Sequence, residues 1–224
     1  MIFNSLEFLV FLPVVFILYW YAFQKNLKAQ NLFVLASSYL FYGWWDWRFL
    51  SLIIASTFVD YFIGIKLAET TEKRKRNLFL AISLLFNLGL LGFFKYYNFF
   101  IDSWVDLLHT VGYEVQNYWT LEIILPVGIS FYTFQTLSYS IDIHKGSLKP
   151  TKDFIAFAAF VSFFPQLVAG PIERASHLLP QMLNQRKFSY QLAVVGAQQI
   201  LWGMFKKVVV GDRLGLYVNE VYGN

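Results

Sequence analysis

Ser130, Thr133, Gln135 and Asp142 fall within one strongly apolar stretch of the chain, and Gln166 within another. The stretches read LPVGISFYTFQTLSYSIDIHKG over residues 125–146 and SFFPQLVAGPIER over residues 162–174. The second also carries Pro165, Gly170 and Pro171 as helix breakers. Proline removes a backbone donor and clashes with the preceding turn. In hydrocarbon, a carbonyl or amide freed in this way is tolerated only where protein or trapped water satisfies it. Such backbone therefore faces a cavity or a protein interior rather than lipid. Amide and hydroxyl side chains in that setting can line a cavity and position a substrate.

Three histidines could act as a general base: His109, His144 and His177. None has a serine or carboxylate partner at a recognisable spacing, and there is no HExxH motif or histidine pair that would hold a metal. The plainer reading of each is an interfacial or loop histidine, whose polar tip sits at a boundary. His177 stands out because it follows the Gly170-Pro171 break. There is no nucleophile elbow, phosphate loop or dinucleotide fingerprint. The chain contains no cysteine, which excludes disulfide, thiolate and Cys-metal chemistry. Two further polar residues lie deep in apolar stretches, Asp60 and Asn87. Counted from the basic loop between them, they reach depths within about one helical turn. This predicts a hydrogen-bonded pair joining antiparallel helices. Ion or proton passage is the alternative, weakened because no second intramembrane carboxylate completes a relay.

Composition sets what must hold these residues in place. Of 224 residues, 57% are hydrophobic and 21% aromatic, and 14% are charged; the mean hydropathy is +0.49. A soluble domain carries about 25% charged residues, so the class is all-α, polytopic and integral to a membrane. The net charge of +4 does not point to nucleic acid, because the basic residues sit in short loops between apolar spans. The N-terminus has no basic region and carries Glu7, unlike a cleaved signal peptide. With roughly 20 residues needed to cross the hydrocarbon, about six to seven transmembrane or re-entrant helices are expected. Their approximate positions are 6–23, 30–45, 49–67, 77–94, 121–143, 153–169 and 190–210. No repeat or soluble domain interrupts them, and residues 1–224 read as a single membrane domain.

Lys25 and Lys28, then Lys73, Arg74, Lys75 and Arg76, then Lys145, Lys149 and Lys152 occupy alternate loops. The positive-inside rule places these loops in the cytoplasm and the N-terminus outside. The stretch holding Asp102, Asp106, Glu114 and Glu122 falls on the opposite side. Tyr19, Trp20 and Tyr21 at one boundary, and Tyr42, Trp44, Trp45 and Trp47 at the other, read as interfacial anchors. Beyond segment five the charges conflict. If segment six crosses, Arg174, Arg186 and Lys187 lie outside; if it is re-entrant, Lys206, Lys207 and Arg213 do.

The two irregular blocks, with FYGWWDWRFL (residues 41–50) and GMFKKVVVGDRL (residues 203–214), resemble the membrane-bound O-acyltransferase family. Within it they look most like the membrane subunits of bacterial alginate O-acetyltransferases and related polysaccharide O-acetylation proteins. The resemblance runs the length of the chain. It implies a bundle of tilted and broken helices around a funnel in the bacterial cytoplasmic (inner) membrane, with this chain as its N-terminal portion. It implies an acyl donor of the acetyl-CoA or acyl-carrier type as co-substrate, with no bound cofactor or metal. It also implies membrane lipid, a polysaccharide acceptor and extracytoplasmic acetylation proteins as partners. Ser130, Gln135, Gln166, Gly170, Pro171, Arg174 and His177 are then candidates to line the funnel or position substrate. The family's hallmark histidine, in a Trp-His-Gly context, would act as base or acyl acceptor. No such motif precedes Asn224, so the catalytic residue is expected downstream and residues 1–224 alone are expected to be inactive. A transporter or flippase would show inverted symmetry between halves, which is not seen. A non-catalytic scaffold subunit is the other alternative.

Overall fold

The computed structural model describes residues 1, 3–113, 123–168 and 170–223. Among them all regular structure is helical. The chain packs as two compact units, one of Met1–Leu27 with Gln185–Asn224 and one of Lys28–Asn184.

In the first unit, α1 (Leu6–Ile17) is capped by Ser5, whose Oγ accepts from the Phe8 amide at 3.3 Å. It runs into a π-helical turn, Leu18–Ala22. At the other end of the chain, α9 (Tyr190–Phe205) continues through a π-helical stretch, Lys206–Gly211, into α10 (Asp212–Tyr222). Segment seven, expected to stop near residue 210, is thus part of a longer helical run. Phe188 packs edge-on against Phe16 and Trp20, at 6.3 and 5.4 Å between centroids. The Arg186 guanidinium lies 5.3 Å from the Tyr19 ring.

The second unit holds the irregular blocks. It comprises α2 (Leu27–Asp46), α3 (Leu50–Glu69), α4 (Lys73–Thr110), α5 (Ile129–Lys145), α6 (Phe154–Val161), α7 (Phe164–Leu167) and α8 (Ala175–Leu183). By length and composition, two stretches of helix can cross a membrane, Leu27–Glu69 and Lys73–Thr110. In α4 only 11% of the most apolar window is buried. An apolar helix left this bare is a lipid-facing element rather than the core of a soluble domain. At 38 residues and 1.5 Å each, it outruns the hydrocarbon, carrying Lys95, Asp102 and Asp106 where segment four was expected to have ended. Glu114, Leu121, Glu122 and Ala169, also placed by the sequence reading, lie outside the described residues.

Segment six is not one span. Its apolar run breaks at Ser162–Phe163 into an eight-residue and a four-residue helix. Residues 156–161 are completely buried, so α6 is apolar all round because it is enclosed by protein, not lipid. Pro165 takes one of the first positions of α7, where its missing N–H costs no helical bond. The Phe164 amide, left without a helical acceptor, donates to Ser38 Oγ on α2 at 3.2 Å. This is how the break is satisfied away from water.

Helix α5 is the centre of the unit, packed by α3, α4, α6, α7 and α8. Two glycines admit its neighbours. Gly128 precedes α5 with φ +77°, and a Cβ there would lie 2.2 Å from the Leu167 carbonyl oxygen. Gly64 of α3 lies against the Tyr139 ring, 2.5 Å from where a Cβ would stand. Tyr139 is fully buried and cannot swing away. Gly64→Ala is expected to destabilise the protein by about 1–3 kcal/mol through overpacking, read as a lower unfolding midpoint in detergent.

Arg76, which the sequence reading used only as a topology marker, closes the basic end of the unit. Its guanidinium donates to the carbonyls of Leu67 and Thr70 (3.3 Å to the latter) at the end of α3. It also donates to those of Ile143 (3.2 Å) and His144 (2.8 Å) at the end of α5. Terminal carbonyls lack helical partners, and a cation there also meets the negative end of the dipole. Arg76→Met, which keeps the stem, should cost about 2 kcal/mol, measured by the same unfolding midpoint.

Candidate funnel wall and buried polar junction

Helix α5 presents polar groups on two faces. Toward α3 and α4, Thr136 and Ser140 join a junction built around Asp60, which is fully buried. Asp60 Oδ1 accepts from Ser83 Oγ and from Ser140 Oγ at 2.9 Å, and Oδ2 accepts from Asn87 Nδ2 at 2.7 Å. Asn87 Oδ1 in turn accepts from Ser56 Oγ at 2.6 Å and Thr136 Oγ1 at 3.2 Å. The expected Asp60–Asn87 bond between helices is present. What the sequence reading missed is that four hydroxyls on three helices complete it. A carboxylate with every described contact a neutral donor, and no second carboxylate beside it, is a structural tie between helices rather than a relay.

Toward α7, Gln135 Nε2 donates to Gln166 Oε1 at 3.2 Å. Two residues picked independently as funnel candidates, 31 positions apart, are therefore neighbours. The backbone before α5 is fixed by Tyr42, whose hydroxyl donates to the Val127 carbonyl at 2.9 Å. Residues 125–131 there enclose a recess of about 170 Å³, and Ser130 is part of its lining. Ser138 Oγ accepts from the Ala175 amide at 3.2 Å, so the start of α8 is anchored on α5.

The other candidates stand differently. Gly170, Pro171 and Arg174 are exposed; Arg174 precedes α8 without a side-chain capping bond. The statement that no histidine has a carboxylate partner needs correction. His177 Nδ1 lies 2.6 Å from Glu173 Oε2, one helical turn away. A carboxylate can only accept, so Nδ1 carries the hydrogen. The i, i+4 spacing was visible in IERASH but was passed over because it straddles the start of α8. His144 Nε2 meets Asn77 Oδ1 at 2.9 Å at the basic end, and His109 lies in the last turn of α4. No cluster of three or more His, Cys, Asp or Glu residues that could hold a metal occurs among the described residues.

Sequence relatives decide what this scaffold belongs to. Over 224 residues, 99% of the chain, it is 37% identical to the "Probable alginate O-acetylase AlgI" of Pseudomonas syringae pv. tomato. It is equally similar to the protein of that name from Pseudomonas aeruginosa. The chain is homologous to the alginate O-acetylases. The resemblance to membrane-bound O-acyltransferases read from its two irregular blocks is borne out. A "Peptidoglycan O-acetyltransferase" of Helicobacter pylori is 34% identical over 95% of the chain. The chain spans about 42% of the length of these alginate O-acetylases and 45% of the peptidoglycan enzyme. No protein-family model and no solved structure matches it.

Proposed function

We propose that this chain forms part of a membrane-bound O-acyltransferase that moves an acetyl group from a thioester donor on the cytoplasmic side to a hydroxyl of an extracytoplasmic polysaccharide. The supporting observation is the identity of 34–37%, over 95–99% of the chain, to proteins named for O-acetylation of alginate and of peptidoglycan. Both acceptors named there are polysaccharides that carry hydroxyls. Alginate is the first acceptor to test, and extracytoplasmic acetylation proteins are the proposed partners.

Both compact units belong, in this reading, to one multi-pass domain of six to seven transmembrane or re-entrant helices in the inner membrane, with the N-terminus outside. The broken α6–α7 element enters and returns without crossing, since its fourteen residues reach about 21 Å at 1.5 Å each, short of the hydrocarbon's ~30 Å. Enclosure of α6 by protein favours the same conclusion. Ser130, Gln135 and Gln166 form the funnel wall where α5 meets the break, with Gly170 and Pro171 shaping the backbone beyond it. Arg174 and His177 stand at the exposed edge as positioning groups for the donor or acceptor. These groups hold and orient substrate, and the proton-abstracting base is supplied elsewhere in the enzyme.

Deleting the gene should remove base-labile acetate from the cell's polysaccharide, and the intact gene should restore it. Unchanged ester content in the deletion strain would refute the assignment. In the restored strain, Gln166→Leu should lower ester content about tenfold, the effect of misplacing a substrate, with membrane protein levels unchanged.

A further inference from the structure

The second polar face of α5 lacks what the Asp60 face has. Tyr132, Gln135, Tyr139 and Asp142 recur at i, i+3, i+7 and i+10, which places them in one stripe about 15 Å long. Tyr132, Gln135 and Tyr139 are 1%, 2% and 0% exposed. Tyr132 Oη, Gln135 Oε1 and Asp142 Oδ2 are buried with no hydrogen-bond partner, and Tyr139 Oη stands beside the Thr151 amide without a full bond. By contrast, Thr136, Ser140 and the Asp60 oxygens are all engaged. Leaving four neighbouring polar atoms unsatisfied would consume much of a protein's marginal stability. Buried water, making two to four hydrogen bonds, is the usual remedy.

The stripe also connects two places of interest. At one end, the remaining polar atom of Gln135 holds Gln166 at the α7 break. At the other, Asp142 lies one turn from the α5 terminus that Arg76 and Asn77 close. We propose that the Tyr132–Gln135–Tyr139–Asp142 face of α5 carries a file of ordered water molecules that conducts a proton along the helix during acyl transfer. The proton-carrying role rests on the acyltransferase reading above; the water file does not. In that transfer the acyl–sulfur bond of the thioester breaks and an acyl–oxygen bond forms at the acceptor hydroxyl. The hydroxyl's proton ends on the departing sulfur. With donor and acceptor on opposite sides of the membrane, that proton must travel the length of the bundle, and tyrosine hydroxyls, water and a carboxylate can relay it. Asp60 cannot share the task, because its oxygens are already committed to fixed donors.

Hydroxyl-radical footprinting by X-ray radiolysis of the full-length protein in lipid tests the water file, since bound water is the local radical source. Tyr132 and Tyr139 should be oxidised about tenfold faster than Tyr42, given water at hydrogen-bond distance. Tyr42 is equally buried, but its hydroxyl is paired with the Val127 carbonyl. Equal rates for all three tyrosines would overturn the proposal, and this readout needs no acyl transfer. The relay is tested in the same protein with the double variant Tyr132→Phe/Tyr139→Phe, which keeps both rings. Acyl transfer should fall about tenfold and its solvent deuterium isotope effect should rise, as for a hindered proton transfer. Full transfer with an unaltered isotope effect would remove the relay.

Discussion

Asp60→Ala is expected to be among the most damaging single substitutions in the described residues, lowering stability by about 2–5 kcal/mol. The figure is the loss of three interhelical hydrogen bonds at roughly 0.6–1.7 kcal/mol each in a membrane protein. Ser83, Ser140 and Asn87 would keep their donors with nothing to receive them, and Asn87 would lose the bond that aims its carbonyl at Ser56 and Thr136. Three helices, α3, α4 and α5, meet at this point, so their packing should loosen together. The measurement is the unfolding midpoint in detergent, with α5 accessibility followed by labelling of a cysteine introduced at Ser138. Asp60→Asn separates structure from transport. An amide keeps one acceptor and adds a donor facing Asn87 or the serines, so it should recover part of the stability and most of any activity. If Asp60→Asn abolished activity at full stability, the junction would be a proton or cation site instead.

Gly128→Ala should be as severe, about 2–5 kcal/mol. The left-handed backbone costs a side chain roughly 1–2 kcal/mol, and overpacking adds roughly 1–3. The obstacle is the Leu167 carbonyl, which is backbone and cannot rotate aside. Relief requires α5 to part from α7, which would also separate Gln135 from Gln166. Loss of stability should therefore be accompanied by loss of function even at temperatures where the protein remains folded. A variant with native stability and native activity would show that α5 and α7 are not held in this contact.

Much of this was legible from residue types alone. Asp60 and Asn87 announced each other, because lone polar groups at matching depths have few other partners in hydrocarbon. Pro165 and Gly170-Pro171 marked the break, because proline's missing donor acts locally. What the sequence could not convey was set by contacts distant along the chain. Ser38 satisfies Phe164 across 126 positions, and Asn31 holds the Met182 carbonyl across 151. Nothing in the serine or the asparagine signals such a partner. Arg76 looked like one of four interchangeable loop cations, and only the convergence of two helix ends distinguishes it. The extension of α4 through Lys95 to Thr110 was missed because hydropathy marks where lipid ends, whereas the helix ends where its backbone does. Of the candidate wall residues, Gln135 and Gln166 were both chosen for polarity at a break. Their pairing depends on how α7 folds back onto α5.

The most direct test is acyl transfer itself. The full-length protein, purified in lipid with its extracytoplasmic partners, is given a radiolabelled acetyl thioester and de-acetylated alginate. Base-labile label should appear on the polysaccharide, and it should be lost with Gln135→Leu/Gln166→Leu while the unfolding midpoint stays within a few degrees of the unmodified protein. Label that never reaches a polysaccharide hydroxyl, or transfer indifferent to both glutamines, would contradict the account.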